Sequence, residues 1–136
     1  MADLVLMSGI YILISHSVFV GCLVHRSDYV KILIQAHANV DAQNAAGFTP
    51  LMLAAHHGNY EICNMLINAG ADITLRNKND GTALMLALTS DKAHIVSLLR
   101  YAHKKLLKNY QKMLRDAWVQ APEELCKLVP MFVYEE

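Results

Sequence analysis

A short apolar motif occurs twice, and its recurrence constrains the fold more than any other feature of the chain. TPLMLAAHHG begins at Thr49, and TALMLALTSD begins at Thr82. Apolar residues such as Leu33, Leu66 and Leu99 recur at the same spacing that separates Thr49 from Thr82. We call this spacing one repeat period. A fixed period with two apolar clusters in it is typical of helix–turn–helix units that stack on copies of themselves. The sequence therefore predicts an all-α solenoid.

The clearest unit shows where its two helices begin and end. Thr49 is a good N-cap, and Pro50 is tolerated at the first helical position. Gly58 interrupts the chain, and a second helix is predicted over residues 60–68. Gly70 supplies the left-handed residue that commonly ends a helix. The pattern thus predicts two short helices joined by a tight turn.

Three stretches together resemble the ankyrin-repeat family. GFTPLMLAAHHGNYEICNMLINAGADI resembles nearly a whole repeat, HRSDYVKILIQAHANVDAQN the second half of a preceding repeat, and DGTALMLALTSDKAHIVSLLRYAH a following repeat. The resemblance covers residues 26–103 and extends weakly back to about residue 16. It implies a rigid stack whose first helices and loop tips form a concave surface that binds a partner protein.

Some glycines of the family pattern are replaced in this chain. His25 and Asp91 stand at the position of Gly58, and His37 and His103 at the position of Gly70. Asp and His are among the residues that tolerate a positive φ best. We therefore expect these four sites to keep the turn at some energetic cost.

The resemblance also implies which residues would touch a partner. Phe48 is the predicted anchor, because exposed aromatic side chains bury a large area on binding; the alternative is that its ring folds onto the adjacent hairpin. Histidines at this surface would make binding sensitive to pH below about 6.5. The implied contact residues are Ala45, Ala46, Phe48, His56 and His57 in the central repeat, and Lys78, Asn79, Gly81, Thr89 and Ser90 in the next.

Residues 104–136 are predicted to form C-terminal amphipathic helices and a tail. A single helix is expected over residues 103–120, and a shorter one from Pro122 to just before Pro130. One interpretation makes the long helix a cap on the last repeat, and the other makes it a basic helix that binds an acidic partner, nucleic acid or calmodulin. Its apolar side is Leu106, Leu107, Tyr110, Met113, Leu114, Ala117 and Trp118, opposite Lys104, Lys105, Lys108, Lys112 and Arg115.

Residues 1–25 form an apolar N-terminal segment with two interpretations. Residues 4–24 contain no Asp, Glu, Lys or Arg and a single histidine, His16. They are long enough to span a bilayer. Positive charge after them, beginning at Arg26, would leave the repeats cytosolic. Alternatively the segment is part of a degenerate first repeat, in which residues 4–15 cover the inner face. A truncated isoform of a longer ankyrin-repeat protein is a further interpretation.

Composition argues against several classes of function. The 12 basic and 12 acidic residues balance, so no overall charge favours nucleic acid. No catalytic, cofactor-binding or metal-binding motif is present, and an enzyme is not expected. Cys22, Cys63 and Cys126 are odd in number and form no CxxC pair, which indicates a reducing compartment. We expect a cytoplasmic or nuclear protein-binding adaptor, with a membrane-tethered scaffold as the alternative.

Overall fold

The computed structural model describes residues 16–120, which contain six α-helices and no β-strand. The all-α prediction is confirmed. The expected apolar lead-in over residues 4–15, the short helix after Pro122 and the C-terminal tail lie outside the described residues. Helix α1 is seen in residues 16–23, and the bounds of the others are Ser27–Gln35 for α2, Pro50–His57 for α3, Tyr60–Asn68 for α4, Ala83–Thr89 for α5 and Ala93–Val119 for α6.

The helices of the repeats pack in two layers. In one layer α3 lies against α5, and in the other α2 lies against α4. Helix α3 also packs on α4, so the two layers meet in the central repeat. This is the stacked helix–turn–helix arrangement that the recurrence of the motif predicts.

The core lies around α3 and α4. Leu51 and Met52 are each 1% exposed, whereas Ile62, Cys63 and Leu66 are fully buried. Small residues at the remaining inward positions of α3 let neighbouring helices approach closely. The other buried members of the same cluster are Val18, Cys22, Val30, Ala38, Ala54, Ala55, Ala83, Ala87, Ile95 and Leu99.

Side chains cap the helices where the sequence predicts them. Thr49 Oγ1 accepts a hydrogen bond from the Met52 N–H at 3.2 Å, and Thr82 Oγ1 accepts one from the Met85 N–H at 3.3 Å. Asn59 plays the same part for α4. Each cap satisfies a backbone donor that has no partner within its own helix, which is why the helices begin at these residues.

Three of the four expected left-handed turns are confirmed. His25, His37 and Asp91 have φ values of 56°, 60° and 55°. The expectation at His103 is wrong, because α6 continues through this residue to Val119.

The residues that follow explain the difference at His103. Lys104, Lys105 and Leu106 are all good helix formers, so continuing the helix avoids the strain of a left-handed histidine. After His37 the chain instead meets Asn39, whose Oδ1 accepts a hydrogen bond from the Asp41 N–H at 3.0 Å. Such a bond from an asparagine side chain stabilises a turn.

The described part of the apolar N-terminal segment packs with the repeats. Val18 and Cys22 are fully buried in the core cluster. They lie one repeat period before Leu51 and Ala55, so α1 keeps the register of the repeats. Within residues 16–120, no helix combines the length with the apolar character that crossing a bilayer requires.

The chain divides into two compact units between Ala102 and His103. In the second unit, the described residues continue α6 as far as Val119. The lysines of this stretch are exposed, and Tyr110 and Met113 are 53% and 59% exposed. Whether this unit caps the repeats stays a prediction.

Candidate functional site

Two loop tips, residues 44–48 and residues 77–81, have the same internal geometry. Asn44 Oδ1 accepts hydrogen bonds from the N–H groups of Ala46 and Phe48, at 3.0 and 2.9 Å. Asn77 Oδ1 accepts from the N–H groups of Asn79 and Gly81, at 2.9 and 2.8 Å. In each tip a backbone hydrogen bond of 3.0 Å also runs from the asparagine N–H to the carbonyl of the last tip residue. One asparagine thus organises each tip.

The two loop tips are joined to each other. The Lys78 N–H donates to the Ala46 carbonyl at 3.1 Å. Gln43 Nε2 donates to the carbonyls of Gly47 and Arg76, at 2.9 Å in both cases. Gly47 has a φ of +80°, and a Cβ placed there would lie 2.9 Å from the Lys78 nitrogen. Glycine is therefore required for this close approach, and the tips form one connected frame.

The frame sorts the predicted contact residues into two kinds. The first kind is exposed at the tips and consists of Ala45, Ala46, Lys78 and Asn79. Gly81 is half-buried, and its N–H is held by Asn77 as described above.

Phe48 also belongs with the less exposed residues. It is half-buried and packs against the core cluster. The ring therefore presents only part of its surface to solvent, and an interaction through Phe48 would use the exposed part.

A second group of side chains lies at the C-terminal ends of the first helices. We call His25, His56, His57, Asn59 and Ser90 the helix-end cluster. Ser90 Oγ is 2.7 Å from His56 Nδ1, and Asn59 Nδ2 is 3.3 Å from His25 Nδ1. The ring centroids of His56 and His57 are 5.4 Å apart, and those of His25 and His57 are 5.6 Å apart. The cluster thus connects the turns of three successive repeats.

Thr89 lies beside this cluster but uses its hydroxyl locally. Thr89 Oγ1 donates to the Leu86 carbonyl at 3.0 Å. Its side chain is exposed, so its methyl group is still available at the surface.

Local environment changes the acidity of several groups. Burial lowers the pKa of His57, and the neighbouring His56 and His25 lower it further. Burial raises the pKa of both Cys22 and Cys63 to about 12. These free thiols therefore stay protonated and are poor nucleophiles. Among residues 16–120, no three His, Cys, Asp or Glu side chains come close enough together to hold a metal ion.

Comparison with known proteins agrees with this geometry. The family profile described as "Ankyrin repeats (3 copies)" matches residues 21–112. The chain belongs to the ankyrin-repeat family. Ankyrin repeats generally mediate interactions between proteins.

Curated relatives share the repeats with this chain. Ankyrin repeat and SAM domain-containing protein 6 of Mus musculus is 44% identical over 73 residues, which is 52% of this chain and 8% of the relative. Alpha-latrotoxin-Lt1a of Latrodectus tredecimguttatus is 34% identical over 73 residues, 54% of this chain and 5% of the toxin. Ankyrin repeat and KH domain-containing protein 1 of Homo sapiens is 32% identical over 74 residues, 54% of this chain and 3% of the relative. The chain therefore spans less than a tenth of the length of these ankyrin-repeat relatives.

Sequence reasoning missed three residues that shape the ankyrin-repeat surface. Asn44 and Asn77 are the same residue one repeat period apart, which is the signal that could have identified them. His25 is predicted from the sequence only as a turn residue. Its place in the turn between α1 and α2 gives no sign that its ring reaches Asn59, since that contact depends on how two repeats stack.

Proposed function

We propose that this ankyrin-repeat chain is an adaptor that binds a partner protein through its loop tips and its helix-end cluster. The observation that carries the proposal is the connected frame of the two tips. Asn44 and Asn77 fix the backbone of each tip, and the Lys78–Ala46 hydrogen bond of 3.1 Å joins them. A surface that is already ordered loses little conformational freedom when it binds.

The two groups of residues are close enough for one partner to contact both. Helix α3 follows the first tip directly and ends at His57 within the helix-end cluster. Its length, 8 residues, corresponds to about 12 Å along the helix axis. A typical partner covers about 800 Å² on each side of an interface, which extends well beyond that distance.

The exposed side chains suggest a polar contact with a small apolar part. Lys78 and Asn79 offer one charge and one amide at the tip, and His56 and His57 offer imidazoles at the other end of α3. Ala45 and Ala46 leave room for a side chain of the partner. Phe48 contributes the exposed part of its side chain, because it is half-buried and packs on the core.

The experiment compares a tip variant with a matched control on the other layer of helices. The variant carries Ala45→Glu and Lys78→Glu, both at exposed positions of the tips. The control carries Asn68→Glu, at an exposed position of α4. Partners are captured by chemical crosslinking to the full chain and quantified by mass spectrometry, and each purified variant is melted to check its fold.

We expect the tip variant to reduce capture of the partner by roughly tenfold or more, in line with a loss of about 1.4 kcal/mol or more at an interface. The control should capture the partner as well as the unchanged chain does. Equal capture by the tip variant, with its melting temperature unchanged, would exclude the tips as the binding surface.

The proposed site of action is the cytoplasm or the nucleus. The support is the reducing compartment that the cysteine pattern indicates, together with two buried free thiols, Cys22 and Cys63. Cell fractionation with carbonate extraction tests this placement, since an anchored chain would stay with the membrane pellet.

A further inference from the structure

One hydrogen bond links the first turn of the stack to the second repeat. His25 lies in the turn between α1 and α2, and its Nδ1 is 3.3 Å from Nδ2 of Asn59. Asn59 is the N-cap of α4. The two residues are 34 positions apart, so the contact forms only when the first repeat is stacked on the second.

The orientation of the Asn59 amide follows from its role as a cap. Its Oδ1 accepts a hydrogen bond from the Ile62 N–H at 3.2 Å. A backbone N–H only donates, so the oxygen must face Ile62 and the NH₂ group must face His25. Nδ1 of His25 therefore accepts, which requires a neutral ring with its proton on Nε2.

We propose that His25 and Asn59 form an acid-sensitive tie between the first and second repeats, closed at neutral pH and opened when His25 is protonated. A protonated imidazole carries N–H donors at both nitrogens. Its Nδ1–H would then point at the NH₂ group of Asn59, and neither group could accept. Protonation of His25 therefore removes the hydrogen bond that joins the two repeats at this point.

Several charged or titratable groups lie near His25. His57, at the end of α3, has its ring centroid 5.6 Å from that of His25. Arg26 follows His25 in the chain, and the carboxylate of Asp28 is bound to its guanidinium at 3.1 Å. The nearby acid is thus already paired with Arg26.

The next turn along the stack brings one more charge of each sign. Lys92 lies across Gly58, with its side-chain carbons 2.9 Å from where a Cβ of that glycine would be. Asp91, beside it in the chain, is exposed. His56 precedes His57, and its Nδ1 contacts the hydroxyl of Ser90. A hydroxyl both donates and accepts, so this second contact survives protonation of His56.

His57 adds to the same dependence on pH. Because its pKa is lowered in the folded protein, the fold binds fewer protons at this residue than the unfolded chain does. Its contribution to stability is fully present above the unfolded pKa of about 6.5, and it is lost as the pH falls from there through the lower pKa of the folded protein. The sign agrees with the opening of the tie.

Opening the tie would release the helix that the first turn holds in place. Val18 and Cys22 of α1 are fully buried in the shared core. Their exposure requires α1 to separate from the second repeat, and the His25–Asn59 bond is one of the contacts that oppose this. The tie is therefore one acid-sensitive contact among those that keep α1 packed, and its opening does not require a partner protein.

The experiment is amide hydrogen exchange on the full chain, read by mass spectrometry at about pH 7.5 and about pH 5.5 and corrected for the intrinsic rate at each pH. We expect protection of residues 18–22 to fall by roughly two- to tenfold on acidification, the range set by loss of one hydrogen bond. Protection of residues 62–66, in the central repeat, should change less.

Three variants separate the tie from other histidines. His25→Asn tolerates the left-handed φ but does not titrate, so most of the pH dependence of α1 should disappear. Asn59→Asp keeps the cap and replaces the donor by an acceptor, so α1 should become better protected at the lower pH. His56→Asn is the matched control and should keep the loss seen in the unchanged chain.

Two results would overturn the proposal. One is an Asn59→Asp chain that loses protection on acidification as the unchanged chain does. The other is a His25→Asn chain in which the loss is fully retained, because another group would then be responsible.

Discussion

The central and third repeats share a pattern but differ in burial. Met52 in α3 is 1% exposed, whereas Met85, at the same position of α5, is 47% exposed. Ala55 is fully buried, whereas Leu88, its counterpart one repeat period later, is 51% exposed. The same apolar position is thus covered in one repeat and open in the next, and the local sequence does not decide which.

The number of neighbours explains this difference. Helix α3 packs on α4 and α5, and its buried residues share a core with Val18 and Cys22 of α1. A position on α3 is therefore covered from several sides. In a repeat protein each unit contacts only its neighbours, so the same residue is core in one unit and surface in another.

The largest expected effect is on the two matched methionines. Met52→Ala should lower the free energy of unfolding by about 2–5 kcal/mol, because it leaves a cavity at a closed site. Nearly half of the Met85 side chain is already in water. Met85→Ala should therefore cost less than about 1 kcal/mol. Urea unfolding followed by circular dichroism measures both.

A control keeps the methionine comparison informative if Met52→Ala does not fold. Met52→Leu preserves the volume and should cost less than about 1.5 kcal/mol. Similar losses for the two alanine variants would contradict the difference in burial between the repeats.

The second prediction concerns the two capping threonines. Thr49 is 1% exposed. Thr49→Ala should therefore cost about 1–2 kcal/mol, the upper part of the range for lost caps. Thr82 is half-buried, and its hydrogen bond is longer, at 3.3 Å. Thr82→Ala should therefore cost only about 0.5–1 kcal/mol, as urea unfolding would measure.

Replacement of each threonine by serine, which keeps the hydroxyl, serves as the control for the caps. Thr82→Ser should stay close to the unchanged chain, because serine caps at least as well as threonine. Thr49→Ser keeps the cap but loses a buried methyl group, so it should cost about 1 kcal/mol. If Thr82→Ala is the more damaging of the alanine variants, burial does not set the strength of these caps.

Sequence alone predicts much of the local structure here. The N-cap at Thr49, the second helix over residues 60–68 and the left-handed turns at His37 and Asp91 all follow from residue type and spacing. Each depends on interactions within a few residues, which is the range over which a sequence pattern is informative.

Contacts between repeats lie beyond that range. The hydrogen bond from Asn59 to His25 and the one from Lys78 to Ala46 join residues of different repeats. Their existence depends on the offset between stacked units, which no single repeat encodes. The predicted turn at His103 is wrong for a related reason, because the residues after it favour a continued helix more strongly than the family pattern favours a turn.

The smallest expected effect concerns the left-handed turn at Asp91 in the third repeat, compared with the turn at Gly58 in the central repeat. Gly58 has a φ of +82°, whereas its counterpart Asp91 reaches 55° with a side chain that makes this region unfavourable. Asp91→Gly removes a strain that is at most about 1–2 kcal/mol for an L-residue. It also gives the unfolded chain more freedom, which costs about 0.4–1 kcal/mol.

Strain relief should slightly exceed the entropic cost, so we expect Asp91→Gly to stabilise the protein by about 0.5 kcal/mol. Asp91→Ala keeps the strain and loses the tolerance of aspartate for this region, so it should destabilise by about 1 kcal/mol. Both variants retain the backbone bond from the Asp91 N–H to the Leu88 carbonyl, at 3.2 Å. The midpoint of urea unfolding therefore reports the change in stability of each variant, provided that the dependence of the unfolding free energy on urea stays the same. A glycine variant less stable than the alanine variant would show that the turn at Asp91 is not held in the left-handed conformation. The third repeat would then differ from the central one in the turn that precedes α6.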